Sequence, residues 1–542
     1  MGSPGILYAG VWLIKTRCST IGRFNLSHDP QRLGDCPPKR VTYADSNLQG
    51  RAMRRPLLLL GLFTAVPCLA DNTFIVNTLG DGGAGTLRAA ITQMQASNGV
   101  QTIQFEIPGN AGIVLTSPLP ALVGQSIVLD GSASPDLRIE GVGWSMFKFS
   151  TGGSGQTIRF DHMNLRGGSN SDGGGCIDVK STGTLLVFDS TFDSCFNSGP
   201  PASGAGGGAI KTNGSLRLTR TRFTNNASSD GGTISLVNAG GAVSASGSSV
   251  LIESTRFIGN HTDASPANAT TCRGGSGGAL ALDVPSGGSA TLVDVQFINN
   301  ATTCPSTGSR QTGNGGALAL YGHGTTSIAS LDRVYFGQNQ AFEGGAIAGE
   351  SVRLIVTNGT FFENTGFSVG AIYMLTRTGS PATTIQLRNS TFARNASVFG
   401  SSAAHLQVQN GATINEVRNT VFAKPLSGPA CVPATADVQL GGAVFTSDDS
   451  CFFFLPGAPE SLTAQFPGNT FGLDVATQTY GKVPTLHPPI GSVLIDNGVN
   501  AGCPSLDARG LPRPVNGGQA TICDIGAVEV NPDRIFGSGF DD

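Results

Sequence analysis

Charge is scarce in this sequence. Asp, Glu, Lys and Arg make up 13% of 542 residues, about half the ~25% of an ordinary soluble domain. Lysine is scarce, and a chain short of Lys and Glu lacks the residues that surface helices are built from. The six histidines form no His-Glu-x-x-His pair and no Ser-His-Asp arrangement, so those two hydrolytic chemistries have no signature here. No Cys-x-x-Cys pair occurs, which removes the usual zinc pattern. After residue 70 no apolar run reaches the ~18 residues of a membrane-crossing helix. What is abundant is glycine, 77 residues, roughly twice its ordinary ~7% share, together with Ser and Thr. That balance favours strands and turns.

The N-terminal region reads as a targeting segment. Met53-Arg54-Arg55 is basic, Pro56 to Val66 is a short apolar stretch, and Cys68-Leu69-Ala70 places small residues before Asp71. This predicts a secretory signal peptide over 53–70. Residues 1–52 show no periodicity and are read as an extension from a mis-called upstream start. Pro67 before Cys68 fits poorly with a lipoprotein. Nine of the 33 Lys/Arg and three of the 36 Asp/Glu lie in residues 1–70, so the remainder carries a net charge near −9. An acidic exported chain without basic clusters is a poor partner for nucleic acid.

Eight cysteines remain after residue 70, in four sequence neighbours: Cys176 with Cys195, Cys272 with Cys304, Cys431 with Cys451, and Cys503 with Cys523. In an exported chain this clustering favours four local disulfides, although eight cysteines permit many connectivities.

The strongest signal is a repeat. Phe-x-x-Asn closes segments at Phe223/Asn226, Phe257/Asn260, Phe297/Asn300, Phe336/Asn339, Phe361/Asn364 and Phe392/Asn395. Phe192 with Cys195, Leu165 and Phe422 are worn copies. Successive marks are 27, 31, 34, 40, 39, 25, 31 and 30 residues apart. A second mark, Gly-Gly-Ala, precedes five of them at Gly207, Gly240, Gly277, Gly315 and Gly344, with Val369-Gly370-Ala371 as a sixth. Two marks in fixed order define a repeat array. Between them apolar residues alternate, as at Leu216 and Leu218, which is strand periodicity. Short strands with Gly and Asn at the corners predict a parallel β-solenoid. A β-propeller blade needs four strands in ~40–45 residues, more than the shortest step allows. The Phe of each coil should stack on the next inside the core, and each Asn should join a hydrogen-bonded ladder. The glycines do not cradle phosphate, because no Gly-Lys-Ser/Thr follows them.

Three stretches resemble known families. The paired Gly-Gly-Ala and Phe-x-x-Asn marks, over residues 174–396, resemble the repeats of the chlamydial polymorphic outer membrane proteins. That resemblance implies a right-handed parallel β-helix displayed on a cell surface. Phe74 to Ile91, "FIVNTLGDGGAGTLRAAI", is similar to the bacterial CSLREA-type segment at the head of such β-helices, with Gly85 and Ala89 where that segment has Cys and Glu. Leu87 to Met94 should then be a short amphipathic helix capping the solenoid's open end. Ile495-Asp496, Asp507, Arg509-Gly510, Arg513-Pro514 and Cys523 to Ala527 resemble the ending of secreted β-helix proteins called choice-of-anchor Q. That ending implies a secreted or surface-exposed bacterial protein and names no activity; the expected location is outside a Gram-negative cell, secreted or on its surface. Ile535 to Asp541 is similar to short tails of some gammaproteobacterial exported proteins. The expected layout is therefore all-β: 71–135 cap and first coils, 136–425 repeats, 426–530 C-terminal coils and ending, 531–542 tail.

Candidate chemistry lies among residues outside the repeat marks. Gly322-His323-Gly324 and Ser447-Asp448-Asp449 offer a fragment of a polygalacturonase-type set, which requires two carboxylates on one face; several predicted coils separate them. A pectate lyase needs an acidic calcium cluster and a basic residue to abstract the proton; Asp161, Asp189 and Asp193 on adjacent coils offer the first, and Arg220, Arg222 and Arg256 the positive charge. Such residues on a solenoid are ordinarily solvated outer positions. The expectation is a surface binding module for extracellular glycans or proteins, with no cofactor, no metal and no catalytic residue. The alternative is a carbohydrate-active β-helix enzyme.

Overall fold

The computed structural model describes residues 72–531 except 97–98, 125, 151–154, 199–205, 231–239, 265–274, 304–312, 325, 377–378, 433–440, 449, 452–462, 466–471, 474, 478–480 and 519. The targeting segment, the tail beyond residue 531, Cys272, Cys304 and Asp449 lie outside the described residues.

The chain is a parallel β-helix. Among the described residues its strands form three parallel sheets, of 22, 11 and 8 strands, and one small antiparallel pair, Ala476–Thr477 with Thr485–Leu486. One coil, Gly277 to Thr303, shows how the sequence makes the turn. After Gly-Gly-Ala, Leu280–Val284 joins the 11-stranded sheet. Ser289–Ile298 then joins the 22-stranded sheet, and Ala301–Thr303 joins the 8-stranded one. Asp294 bends the middle strand with φ 57°, and Asn299 ends it with φ 54°. The next coil repeats in register, with Leu280 beside Leu318, Leu292 beside Leu331 and Phe297 beside Phe336.

The bend residue recurs once per coil. His162, Asp189, Arg220, Ser254, Asp294, Arg333, Asn358, Asn389 and Asn419 all hold positive φ between 44° and 57°. Asn and Asp tolerate this left-handed region best among non-glycine residues.

Inside, the marks do what their spacing requires. Phe192, Phe223, Phe257, Phe297, Phe336, Phe361, Phe392 and Phe422 are fully buried and stack face to face with centroids 4.5–5.0 Å apart. That is the strand spacing itself. The asparagines form a continuous ladder. Asn300 Nδ2 donates to Asn339 Oδ1 at 3.0 Å and to the Phe257 carbonyl at 3.0 Å, and its backbone N–H donates to Asn339 Oδ1 at 2.9 Å. At one end Cys195 takes the Asn place, donates its N–H to Asn226 Oδ1, and forms a disulfide with Cys176. At the other, Asn395 Nδ2 meets His405 Nδ1 at 3.0 Å, and His405 Nε2 donates to the Ala423 carbonyl.

The helix Leu87–Gln95 begins at Thr86, whose hydroxyl accepts from the Ala89 N–H at 3.2 Å. Leu87, Ala90, Ile91 and Met94 are buried and join the main core. The ending departs from simple coiling. The described residues between Leu473 and Ile525 lie across the outer face of the 22-stranded sheet. Leu473, Val483, Leu486, Leu494 and Ile525 pack on Tyr335, Phe362, Ala393, Val421 and Phe445. Asn358 Nδ2 donates to the Leu506 carbonyl, and Asn389 Nδ2 to the Asp524 carbonyl. Two further disulfides join Cys431 to Cys451 and Cys503 to Cys523. No helix among the described residues is long and apolar enough to cross a membrane.

Candidate functional site

The ending covers the outer face of the 22-stranded sheet only over its later coils. Asn358, Asn389 and Asn419 are buried at the bend, whereas His162, Asp189, Arg220 and Ser254 are not. Four coils, from Thr157 to Ile258, therefore keep an open outer face. Strand alternation sends Leu185, Val187 and Phe192 inward and leaves Leu186, Phe188, Thr191 and Asp193 outward.

This face carries six arginines and four carboxylates. Each carboxylate is held by one arginine. Arg159 Nε meets Asp161 at 2.5 Å, and Arg166 meets Asp193 at 3.3 Å. Arg217 meets Glu253 at 2.9 Å. Arg220 grips Asp189 through two bonds of 2.6 and 2.7 Å. The Arg220 hydrogen bonds hold the Asp189 carboxyl below the ordinary range. Arg159 and Arg217, from the two coils that flank Phe188, also lie over its ring, 4.9 and 5.6 Å from the centroid, the geometry of a cation–π contact.

Two arginines are left over. Arg222 and Arg256 are exposed and sit side by side on adjacent coils, directly in register. Arg222 Nε donates to the Thr224 hydroxyl at 3.2 Å, and no carboxylate pairs with it among the described residues. The Arg256 guanidinium has neither a hydrogen bond nor an ion pair among the described residues. Like charges directly opposite across a strand pair are unfavourable, so this pair stands out.

Arg256 lines a cleft of about 250 Å³ with Ser254, Asp294, Gln296, Gly481 and Lys482. The cleft lies where the open face meets the edge of the ending. Lys482 Nζ reaches Ser254 Oγ at 3.0 Å and Asp294 Oδ2 at 3.2 Å. Arg333 Nε holds the other oxygen of Asp294 at 2.7 Å. The Gln296 amide donates to the Lys482 carbonyl and fixes that edge on the sheet.

The candidates from the sequence thus separate. Asp161, Asp189 and Asp193 do share one face with Arg220, Arg222 and Arg256, but the carboxylates are all occupied by arginine. His323 is elsewhere, beyond the 11-stranded sheet's strand Leu318–Gly322, with Nε2 2.5 Å from Asp283 Oδ1. Asp448 accepts the N–H groups of Ala430 and Ser450, and Ser447 accepts that of Lys424. The structure brings neither to His323. Lys482, Asp294 and Arg333 carried no signal in the sequence; Lys482 is 188 positions from Asp294 and lies in a segment without repeat marks.

Buried carboxylates occur in the ending, and each has a structural partner. Asp496 accepts from the N–H groups of Gly517 and Ala520. Asp524 accepts from those of Asp496 and Val530, while burial pushes its carboxyl up to about 7. Glu529 pairs with Arg513 at 2.8 Å, both side chains fully buried. Among the described residues no group of three or more His, Cys, Asp or Glu side chains is placed to hold a metal ion. No protein-family model matches the chain, and comparison with curated proteins finds no relative.

Proposed function

We propose that this protein is a secreted or cell-surface binding module that holds an extended acidic glycan along the open outer face of its 22-stranded sheet, without catalysis. One observation carries this reading: on an otherwise acidic chain, the open face has more arginines than carboxylates, and the surplus, Arg222 and Arg256, is stacked at the strand spacing. A polymer running along the solenoid meets one outward residue per coil, so a regularly charged chain is matched residue by residue. Arginine suits this role because its planar fork pairs with carboxylate or sulfate through two bonds. Phe188 between Arg159 and Arg217 adds an apolar platform beside the charges. Export is supported by the basic, apolar and small-residue pattern over 53–70 and by three disulfides. The resemblances of the repeat and of the ending support display at a bacterial surface.

The four Arg–carboxylate pairs support binding over turnover. A glycosidase needs an acid and a second free carboxylate flanking the bond, and a carboxylate clamped by guanidinium is a poor base. The test is retention of residues 71–542 on immobilised polygalacturonate at low salt, with loss of retention as salt rises. The same mixture should release neither reducing nor unsaturated ends. Absence of retention on any acidic glycan overturns the binding reading, and release of new ends overturns its non-catalytic part.

A further inference from the structure

We propose that the cleft bounded by Arg256, Ser254 and Lys482, with Arg222 on the adjoining coil, is a single-anion subsite that takes one carboxylate or sulfate group of a glycan. The inference rests on the binding reading and names the place where the acidic chain is anchored.

The argument begins from charge pairing. Every acidic side chain on the open face is matched with an arginine, and the Asp294 carboxylate inside the cleft is held on both oxygens, by Arg333 and Lys482. Arg256 has no such partner, although it borders a concave space and Asp294 borders the same space. An arginine beside a carboxylate that is already occupied keeps its five N–H donors for an external acceptor. Arg222 beside it in register doubles the positive charge at a site where two like charges would otherwise repel. An anion seated between them removes that repulsion. The Ser254 hydroxyl accepts from Lys482, so its own proton is available to a ligand oxygen. The cleft wall is stiff: Gln296 is buried and tied to the Lys482 carbonyl, and Ser254 lies at the bend of a strand bonded on both sides. Preorganised donors of this kind bind anions with little ordering cost. About 250 Å³ is enough for one charged substituent and part of the ring that carries it.

The experiment uses the exported chain, residues 71–542, and three probes: inorganic sulfate, a short oligogalacturonate and a sulfated glycosaminoglycan oligosaccharide. Neutral oligogalacturonate methyl ester is the control. Affinities are measured by calorimetry for the parent and for Arg256→Gln, Arg222→Gln and Arg220→Gln. Arg256→Gln removes an exposed charge without a partner, so its melting temperature should match the parent. Its affinity for the preferred acidic oligosaccharide should fall roughly tenfold or more, the loss expected for a charge-assisted pair. Arg222→Gln should weaken binding by a similar factor. Arg220→Gln, whose charge is already held by Asp189, should change it less. Tighter binding of the uronate or of the sulfated probe identifies which group the subsite prefers, and saturable binding of inorganic sulfate alone places the site without a sugar. If the acidic oligosaccharides bind but neither Arg256→Gln nor Arg222→Gln weakens them, the subsite is overturned while the binding face survives. If no acidic probe, sulfate included, binds the parent, both fall.

Discussion

The second glycine of each Gly-Gly-Ala mark and the glycines of ordinary turns look alike in the sequence and obey different constraints. At Gly278 a Cβ would run into the carbonyl oxygens of Gly316, on the next coil, and of Ala301. Neither can move without breaking the ladder in which the Gly278 N–H donates to the Gly315 carbonyl. Gly287 holds φ +75°, yet nothing lies within 4 Å of where its Cβ would be. Gly278→Ala is therefore expected to destabilise by about 3 kcal/mol or more, the scale of overpacking against rigid backbone. Gly287→Ala should cost only about 1 kcal/mol, the strain of a left-handed alanine. Urea unfolding of both variants checks the contrast, and equal midpoints would remove the close-approach explanation of the mark.

At the scale of the element, the Asn ladder is one hydrogen-bonded unit that ends on a histidine. His405 is fully buried, receives a hydrogen bond from Asn395 on Nδ1 and gives one to Ala423 from Nε2. Only the neutral ring can do both. Burial pushes its pKa down to about 4, against the smaller opposing pull of Asp448. The unfolded chain binds this proton below about 6.5, and the folded chain resists it until about 4. The stabilisation is thus complete above pH 6.5 and drains away as pH falls to 4, by roughly 1.4 kcal/mol per pH unit. His405→Gln can keep one acceptor and one donor but cannot titrate. The difference in unfolding free energy between parent and variant should shift against the parent by about 3 kcal/mol from pH 7 to pH 4. A difference that stays constant over that range would mean the ring is not the ladder's neutral terminus. Most of this element was legible in the sequence, since a mark repeated once per coil has to occupy one place in the coil. The stacked Phe, the ladder and the capping helix all follow from period and residue type. His405 was not legible, because it occurs once and its role depends on which coil it falls in. The candidate site was half legible for the same reason. Asp161, Asp189, Asp193, Arg220, Arg222 and Arg256 lie in the repeats, and their shared face follows from strand alternation. Their pairing depends on side-chain reach, and Lys482 comes from a segment with no period at all.

For the whole molecule, the ending decides which part of the long sheet's outer face is covered. Arg513 is its hub. Its buried guanidinium meets Glu529 at 2.8 Å, the side chain of Asn358 at 3.2 Å and the Gly526 carbonyl at 3.1 Å. One side chain thus ties the non-repeating segment to the bend row of the sheet. Glu529 in turn accepts the N–H groups of Asp524 and Val515. Glu529→Ala would leave the Arg513 charge buried without its counter-ion, a loss of about 3–5 kcal/mol. The coils keep their own Phe stack and Asn ladder, so that loss should fall on the attachment of the ending. Limited proteolysis of Glu529→Ala is expected to cut within residues 472–531 well before the repeats. The apolar surface under the ending, Tyr335, Phe362, Val421 and Phe445, should then bind a hydrophobic dye that the parent excludes. The Thr157–Ile258 face lies outside that cover. Binding there should persist except for the contribution of Lys482, which leaves with the ending. Cleavage of the repeats as fast as the ending would show that the two unfold together, and the ending would then be part of the solenoid's cooperative core instead of a separable cover over one end of the 22-stranded sheet.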